Sequence, residues 1–465
     1  MNTTYPQFIN EEEIERILEM NQKPAPSKVR SALAKAKEMK GLDLEDVAVL
    51  TNINDSMQLF ELFETANHIK EKIYGKRLVI YAPLNISNQC SNECSYCAFR
   101  IKNDSIARRT LSQEEIVQKT EMLIRQGHKR VLLVASDLDK DKGFEYLIDA
   151  IASTYGAKVG NGEIRRVNVN VAPMELDQFK LLRDAKIGTY QLFQETYHQK
   201  TYKEVHLEGK KKDYAYRVTA LHRAMEAGIK NVGTGVLFGL YNFRFELLAL
   251  MQHIRELEKV FGMGPHTISV PRIEAAPGAN FPFPAPYAVS DLDYRKIVAI
   301  LRLAVPYTGI IMSTNESANM RRETLALGVS QISAGSHTAP KGVTRKMITD
   351  QELECSMGDH RSLDEVVRDV AGMGYIPSFC NSCHRLGRTG LDFMDMAKPG
   401  NIKSHCNPNA ISTFMEYLMD YASYETRLIG EDLIDDVIDS MEGVARERAY
   451  LLLEKVKKGK RDIYC

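Results

Sequence analysis

At 465 residues, with Lys+Arg and Asp+Glu both totalling 61, the chain carries no global field to draw in nucleic acid or an anionic membrane surface. The first twenty residues are acidic and lack an apolar core, and no stretch approaches ~18 uninterrupted apolar residues, so neither a secretory signal nor a membrane span is expected. The expected location is the cytoplasm, where clustered Cys residues read as metal ligands and not as disulfides. In chain order, residues 1–76 come first as a helical extension. Asn10-x-x-Glu13 caps its first helix, Ile9 can staple onto Ile14, and Ile14, Ile17 and Leu18 form an apolar stripe that packs on the outside of the main domain. From 77 to 375, short β-branched runs alternate with helical patterns, a parallel α/β signature. The runs are Arg77–Asn85, Arg130–Ala135, Arg166–Val171, Gly188–Phe193, Asn231–Phe238, Thr267–Ile273, Gly309–Ser313 and Val329–Ala334. Capping boxes Ser112-x-x-Glu115 and Ser362-x-x-Glu365 start the helices after the first and eighth runs, and eight strand–helix units make a complete (β/α)8 TIM barrel.

The loop after strand one reads Cys90-Ser91-Asn92-Glu93-Cys94-Ser95-Tyr96-Cys97. With 8 Cys in the chain, chance would produce this spacing about 465 × (8/465)³, or about 0.002 times. Three thiolates hold three irons of a [4Fe-4S] cube and leave the fourth open. Zinc is the other reading, but it wants a fourth protein ligand and residues Ala98 to Asp104 offer no His or Cys. The CX3CXΦC pattern, with Tyr96 before the last Cys, resembles the radical S-adenosylmethionine (SAM) enzymes. That resemblance implies SAM bound at the open iron and a one-electron cleavage of it to a 5′-deoxyadenosyl radical, with the protein supplying orientation.

The loop lies on the barrel's C-terminal face, where active sites sit. The resemblance marks further candidates there. The strand-two edge, usually GGE, here reads Ala135-Ser136-Asp137, which keeps an acceptor but loses both glycines. Gln194-Glu195 closes strand four and Arg217 follows, a carboxylate and a guanidinium suited to the ribose or ammonium and to the carboxylate of SAM. Asn170 shares the inner face of strand three with Asn168 and is a candidate nucleoside contact. For an amino-acid substrate, the turn Ser313-Thr314-Asn315-Glu316 leads to Arg321-Arg322, and strand eight ends Ala334-Gly335-Ser336-His337. Thr314, Arg321, Arg322 and Ser336 are the candidates, with one arginine of the pair turned outward.

Residues 376–465 contain no barrel-like alternation and read as a small helical domain, with apolar periodicity over Ala410–Leu428 and Leu433–Val456. They hold a second triplet, Cys380-Asn381-Ser382-Cys383 and Cys406. By spacing alone a CX2C pair is a redox dithiol or half a zinc site, which His384 or His405 could complete. Cys355 and Cys465 read as a buried thiol and a frayed terminal one. Helix eight returns the chain to the N-terminal face, so Cys380 and Cys383 are expected at the barrel bottom, where Gly264-Pro265-His266 also lies, just before strand six.

Taken together, the two triplets resemble the tyrosine lyases of [FeFe]-hydrogenase maturation, whose C-terminal motif is CX2CX22C. The resemblance implies a second [4Fe-4S] cluster with an additional iron, and His266 as a ligand of that iron. It further implies cleavage of the Cα–Cβ bond of L-tyrosine to p-cresol and dehydroglycine, then generation of CO and cyanide on iron. A low-potential electron donor and other maturation proteins would be the partners. The alternatives are a thiamine-pathway tyrosine lyase (2-iminoacetate synthase) and a non-catalytic iron-sulfur carrier.

Overall fold

The structure, a computed structural model, describes residues 7–137, 142–335, 358–387, 390 and 403–465. The eight β-branched runs become β1 (Arg77–Ser87), β2 (Arg130–Ala135), β3 (Arg166–Asn170), β4 (Tyr190–Gln191), β5 (Val232–Gly235), β6 (Thr267–Ser269), β7 (Gly309–Met312) and β8 (Val329–Ser333). Each pairs with its chain neighbour in parallel, and β8 pairs back onto β1 through Val79↔Gln331, Ile80↔Ile332 and Tyr81↔Ser333, so the sheet closes into the expected barrel. A closed parallel ring separates its two mouths. The 11 residues of β1, at about 3.3 Å each, span on the order of 30 Å between them.

Helices α1 (Glu11–Met20), α2 (Pro26–Lys37), α3 (Leu44–Thr51) and α4 (Ser56–Tyr74) precede the barrel. Asn10 Oδ1 accepts from Glu13 N at 3.0 Å, and Ile14, Ile17 and Leu18 are buried on the same core as the barrel's outer layer. The crossover helices are α5 (Gln113–Gln126), α6 (Lys142–Gly156), α7 (Leu176–Asp184), α8 (Ala220–Glu226), α9 (Phe243–Phe261), α10 (Asp291–Ala304), α11 (Ala318–Leu327) and α12 (Leu363–Gly372). Both expected capping boxes form: Glu115 N donates to Ser112 Oγ at 3.2 Å and Ser112 N to Glu115 Oε2 at 2.8 Å, and Ser362 with Glu365 repeats the pattern at 3.3 and 2.8 Å.

Alternation along the strands sorts side chains between the helix layer and the interior. Val167, Val169 and Tyr190 face the helices, which turns Asn168 and Gln191 inward. Ile268 faces out, so Thr267 points in. The interior apolar cluster is small, built on Tyr81, Leu132 and Ile311. The barrel is therefore lined with polar groups over much of its length, in contrast to the stacked aliphatic layers usual for this fold.

One element departs from expectation. The segment after α12 reads as a small helical domain, yet it opens with a short strand, Ile376–Ser378 (β9), parallel to β1 with Arg77↔Ile376 and Val79↔Ser378. Val79 also pairs with Gln331, so β9 takes the lower part of the β1 edge that β2 occupies from Ala82 upward. Three residues are too few to show alternation, and Pro377 argues against a strand anywhere but at such an edge position. β9 ends two residues before Cys380 and so fixes where the second triplet begins.

The remaining helices, α13 (Lys403–Asp420), α14 (Tyr424–Asp439) and α15 (Gly443–Lys457), close the bottom. The single periodic stretch expected over Ala410–Leu428 breaks at Ser423, which caps α14 by accepting from Thr426 N at 3.3 Å. Glu416, in the middle of α13, is almost fully buried. It takes two bonds from Arg165, at 3.1 and 2.5 Å, and has Lys129 at 3.7 Å. Arg165 and Lys129 flank the starts of β3 and β2, so this ion cluster locks the C-terminal helices onto the barrel floor. Removing one member of such a buried pair leaves an uncompensated charge, and Glu416→Ala should destabilise the fold by about 3–5 kcal/mol in denaturant titration. Replacing Arg165 and Glu416 together with Met and Leu should recover most of that loss; a double variant as unstable as the single one would contradict the account.

Candidate active site and candidate metal centre

The loop after β1 is held from three sides. Glu93–Cys94 forms a short antiparallel ribbon with His206–Glu208, and Ser95 N donates to Val205 O at 2.9 Å. Glu93 pairs with Arg100 at 2.6 Å with both side chains largely buried. Asn92 is the keystone: its Nδ2 donates to Asp137 Oδ2 at 2.8 Å and lies 3.7 Å from Cys90 Sγ, while its Oδ1 accepts from Lys211 N at 2.8 Å. Gly209 makes this approach possible, because a Cβ there would sit 2.3 Å from Asn92 Oδ1, and its φ of +86° suits glycine.

Cys94 and Cys97 pack with Tyr96, Val205 and Leu240. Burial, then the neighbouring Cys94, pushes the Cys97 thiol up to about 12; burial likewise raises Cys94, and Cys90 adds to both. Three thiols within reach of one another's charge are stable as thiolates only around a cation, and metal binding strips their protons. The donor set and its closeness fit a three-Cys cube. Tyr96 is buried and its hydroxyl meets His206 Nε2 at 3.0 Å, while His206 Nδ1 meets the Tyr202 carbonyl at 2.9 Å. Only a protonated Nδ1 can bond a carbonyl, so Nε2 accepts from Tyr96. Burial, then Lys211, holds this imidazole neutral, well below its ordinary range.

Glu195 stands beside this loop with a φ of +72°, one of few non-glycine residues so placed among those described. The β4 pairing continues above Gln191 through Leu192 N to Gly233 O and Gln194 N to Gly235 O, each 2.9 Å, and reaches this left-handed residue itself, whose carbonyl accepts Leu237 N at 2.9 Å. The Glu195 carboxylate receives Lys211 Nζ at 2.6 Å and Arg217 Nη2 at 3.2 Å, while Arg217 also grips the Phe193 carbonyl with Nε and Nη2. The expected Glu195–Arg217 pair is thus assembled, with Lys211 as a third member that sequence reasoning passed over.

Other candidates fare unevenly. Asp137 accepts Asn92 Nδ2 on its carboxylate and Ser91 N on its carbonyl at 3.2 Å, which braces the cysteine loop, and it also lines a cavity at the top of β2, so it stays among the candidate SAM contacts. Ser136 sits beside it, with Lys210, on the wall of a cavity of about 460 Å³. Asn170 is half-buried at the upper end of β3, opposite Gln191. Arg321 is buried and bonds Asp359 Oδ2 and the Ser333 carbonyl, each at 2.6 Å, while Thr314, also buried, accepts Asp359 N at 2.9 Å. Arg322 is the member of the pair turned outward: it is exposed and bonds Asp369 on α12 and Asn319, and it is removed from the set. Ser336, His337 and Cys355 lie outside the described residues.

At the opposite mouth, a cavity of about 560 Å³, its opening included, is lined by Cys380, Cys383, Cys406, His266 and the guanidinium-bearing starts of β1, β2 and β3: Arg77, Arg130 and Arg166. The Cys406 thiol, then Arg77 and Arg166, pull Cys383 down to about 6 against its burial, whereas Cys406 is held well above its ordinary range. Arg130 donates to the Cys380 carbonyl at 2.8 Å, and Arg77 Nε is buried with no hydrogen-bond partner. Burial, then Arg166, Arg130 and Arg77, lower His266 to about 3, so its imidazole is neutral and able to ligate. A structural zinc would draw its ligands together around one ion. Three thiols and a histidine lining a roomy cationic cavity suit a larger, anionic group, so the residues fit a second cluster.

The comparisons agree with this geometry. Residues 84–254 match the Radical SAM superfamily and 269–376 the Biotin and Thiamin Synthesis associated domain. The 2-iminoacetate synthase of Escherichia coli (strain K12) is 28% identical over 355 residues, 75% of this chain and 89% of that protein. A crystal structure of HydG, a maturase of the [FeFe]-hydrogenase, is 44% identical over 98% of this chain and 100% of its own, with a TM-score of 0.93. The FeFe-hydrogenase maturase HydG from Carboxydothermus hydrogenoformans is 37% identical over 95% of this chain and 97% of its own, with a TM-score of 0.82.

The depressed Cys383 thiol yields a test on the metal-free chain. The Cys383–Cys406 pair should begin to alkylate as a thiolate below the ordinary thiol range, ahead of Cys380, when iodoacetamide labelling is followed against pH by mass spectrometry. Indifference of Cys383 labelling to pH between about 5 and 8 would contradict the electrostatics described.

Proposed function

Because the chain belongs to the HydG family of radical SAM maturases, we propose that it cleaves the Cα–Cβ bond of L-tyrosine to p-cresol and dehydroglycine and converts the glycine fragment into CO and cyanide on iron, a precursor of the [FeFe]-hydrogenase active-site cluster. The observation that carries this reading is the pair of separate thiol sites at opposite mouths of one barrel. A thiamine-pathway lyase accounts for the upper site and the tyrosine chemistry, but the similarity to 2-iminoacetate synthase covers 75% of this chain, against 98% for HydG. A non-catalytic carrier would need neither Glu195 in a left-handed conformation nor its buried cation pair.

The [4Fe-4S] cluster held by Cys90, Cys94 and Cys97 supplies, with SAM, the one-electron cleavage that starts the reaction. Around it, Tyr96 is fixed by His206, and Asn170, Ser136 and Asp137 are the further polar candidates for contacts to SAM. Glu195 would hold the ribose or ammonium of SAM and Arg217 its carboxylate. Buried Arg321 and Thr314, together with Ser336, would take the tyrosine carboxylate and ammonium; Arg321 Nε has no hydrogen-bond partner among the described residues and is the donor left for substrate. At the bottom, Cys380, Cys383 and Cys406 would hold the auxiliary cluster and neutral His266 the additional iron, imidazole being a sound ligand for Fe(II). The polar interior of the barrel supports passage of a small polar product between the mouths. A low-potential electron donor and other maturation proteins complete the reading. No helix of the described residues is long and apolar enough to cross a membrane.

Reduced, anaerobically reconstituted protein should form 5′-deoxyadenosine and p-cresol from SAM and tyrosine, and Cys94→Ala should abolish both; undiminished p-cresol from that variant would sink the assignment. Cys380→Ser with Cys383→Ser should still release p-cresol but give no iron-carbonyl infrared bands, because the thiols lie below the barrel and away from the upper loop. His266→Ala should behave similarly in milder form. An equal loss of p-cresol and of iron-carbonyl signal from His266→Ala would instead make that residue structural.

A further inference from the structure

Of the three successive lysines Lys210–Lys212, the outer two are exposed and only Lys211 turns inward, its side chain 16% exposed. It is aimed there by its own backbone: the amide donates to Asn92 Oδ1, the residue that braces Cys90, and Gly209 lets the chain lie close enough for that bond. The ammonium then sits 2.6 Å from Glu195 Oε1 and 5.7 Å from the centroid of the ring of Tyr96, the residue that lies between Cys94 and Cys97 in the chain.

Charge is balanced closely around the thiols. Glu195 faces two cations, Lys211 and Arg217, and Glu93 is already taken by Arg100. His206 is neutral, and the Asp137 carboxylate lies on the Cys90 side, bonded to the Asn92 amide that reaches Cys90 Sγ at 3.7 Å. Glu195 and Asp137 thus offset Lys211 and Arg217, and without Lys211 one negative charge would be in excess beside the three thiols. We propose that Lys211 is a positioning residue of the upper site whose ammonium, fixed between Glu195, Tyr96 and the cysteine loop, raises the reduction potential of the cluster held by Cys90, Cys94 and Cys97. The proposal rests on the assignment of that cluster. Its physical basis is that reduction adds negative charge to the cluster, and a fixed cation in a partly buried setting stabilises the more negative state.

The test is a potentiometric titration of the full-length reconstituted protein, following by electron paramagnetic resonance the reduced-cluster signal that changes when SAM is added. Lys211→Met should keep the iron content of the wild type and shift the midpoint of that signal to more negative potential, while Lys211→Arg should titrate near the wild type. Glu195→Gln should shift the midpoint the opposite way, because it removes the negative partner of the same cation. A Lys211→Met protein that binds iron normally and titrates at the wild-type potential would overturn the proposal. Loss of iron from Lys211→Met with retention in Lys211→Arg would make the residue a folding element of the loop and overturn it as well. If instead Cys94→Ala leaves the SAM-sensitive signal of the wild type intact, the cluster assignment itself falls, and the proposal with it.

Discussion

Parallel closure of the barrel is the constraint on which both sites depend. Every strand runs in the same sense, so all the strand starts gather at one mouth and all the strand ends at the other. β1 ends in the loop that carries Cys90, Cys94 and Cys97; β4 ends at Glu195; β7 and β8 end near Thr314 and Arg321. At the other mouth Arg77, Arg130 and Arg166 open β1, β2 and β3, and His266 precedes β6. β9 adds the last condition by pairing with the lower edge of β1, which anchors the chain two residues before Cys380. Without that pairing nothing in the strand order would oblige the second triplet to face the barrel axis.

How much of this could be read in advance depends on the range of the interactions involved. The eight strands were visible because β-branched runs between capped helices are a local signal, and the two capping boxes are complete within four residues. The six cysteines of the two triplets and His266 could be placed because their order in the chain, combined with barrel topology, decides which mouth they reach. β9 was not: three residues carry no periodicity, and its existence depends on a partner strand almost three hundred positions away. The same limit explains Lys211. Its run of three lysines looks like a solvated face, and only the bond from its amide to Asn92, across more than a hundred residues, turns the middle one inward.

Asp137 and the arginine pair show a different limit, in which residue type was informative but orientation was not. An acidic residue at the upper edge of β2 suggests a ligand contact, and the structure adds a second task for it, since it also accepts from Asn92 and so holds the cysteine loop. Arg321 and Arg322 are neighbours on α11, about 100° apart around the helix, so only one can face the barrel top. Asp359 selects Arg321 from within, and Asp369 on α12 holds Arg322 outside.

The two mouths also differ in how they accommodate charge before any cluster is present. At the top, Glu195 answers Lys211 and Arg217, and burial keeps the Cys94 and Cys97 thiols protonated. At the bottom, Arg77, Arg130 and Arg166 make no ion pair with a carboxylate among the described residues, and the charge facing them is the depressed Cys383 thiol. Buried cations without counter-charges are unfavourable unless hydrogen bonds or an anion compensate them, and here the compensation is partial: Arg130 and Arg166 lean on carbonyls and Asn side chains, while Arg77 Nε has no hydrogen-bond partner. Among the described residues, the lower mouth thus presents more positive charge than its carboxylates and the Cys383 thiol answer. An anionic three-thiolate cluster would satisfy that requirement, and its binding energy would add to the docking of the C-terminal helices that carry Cys406 against the floor of the barrel.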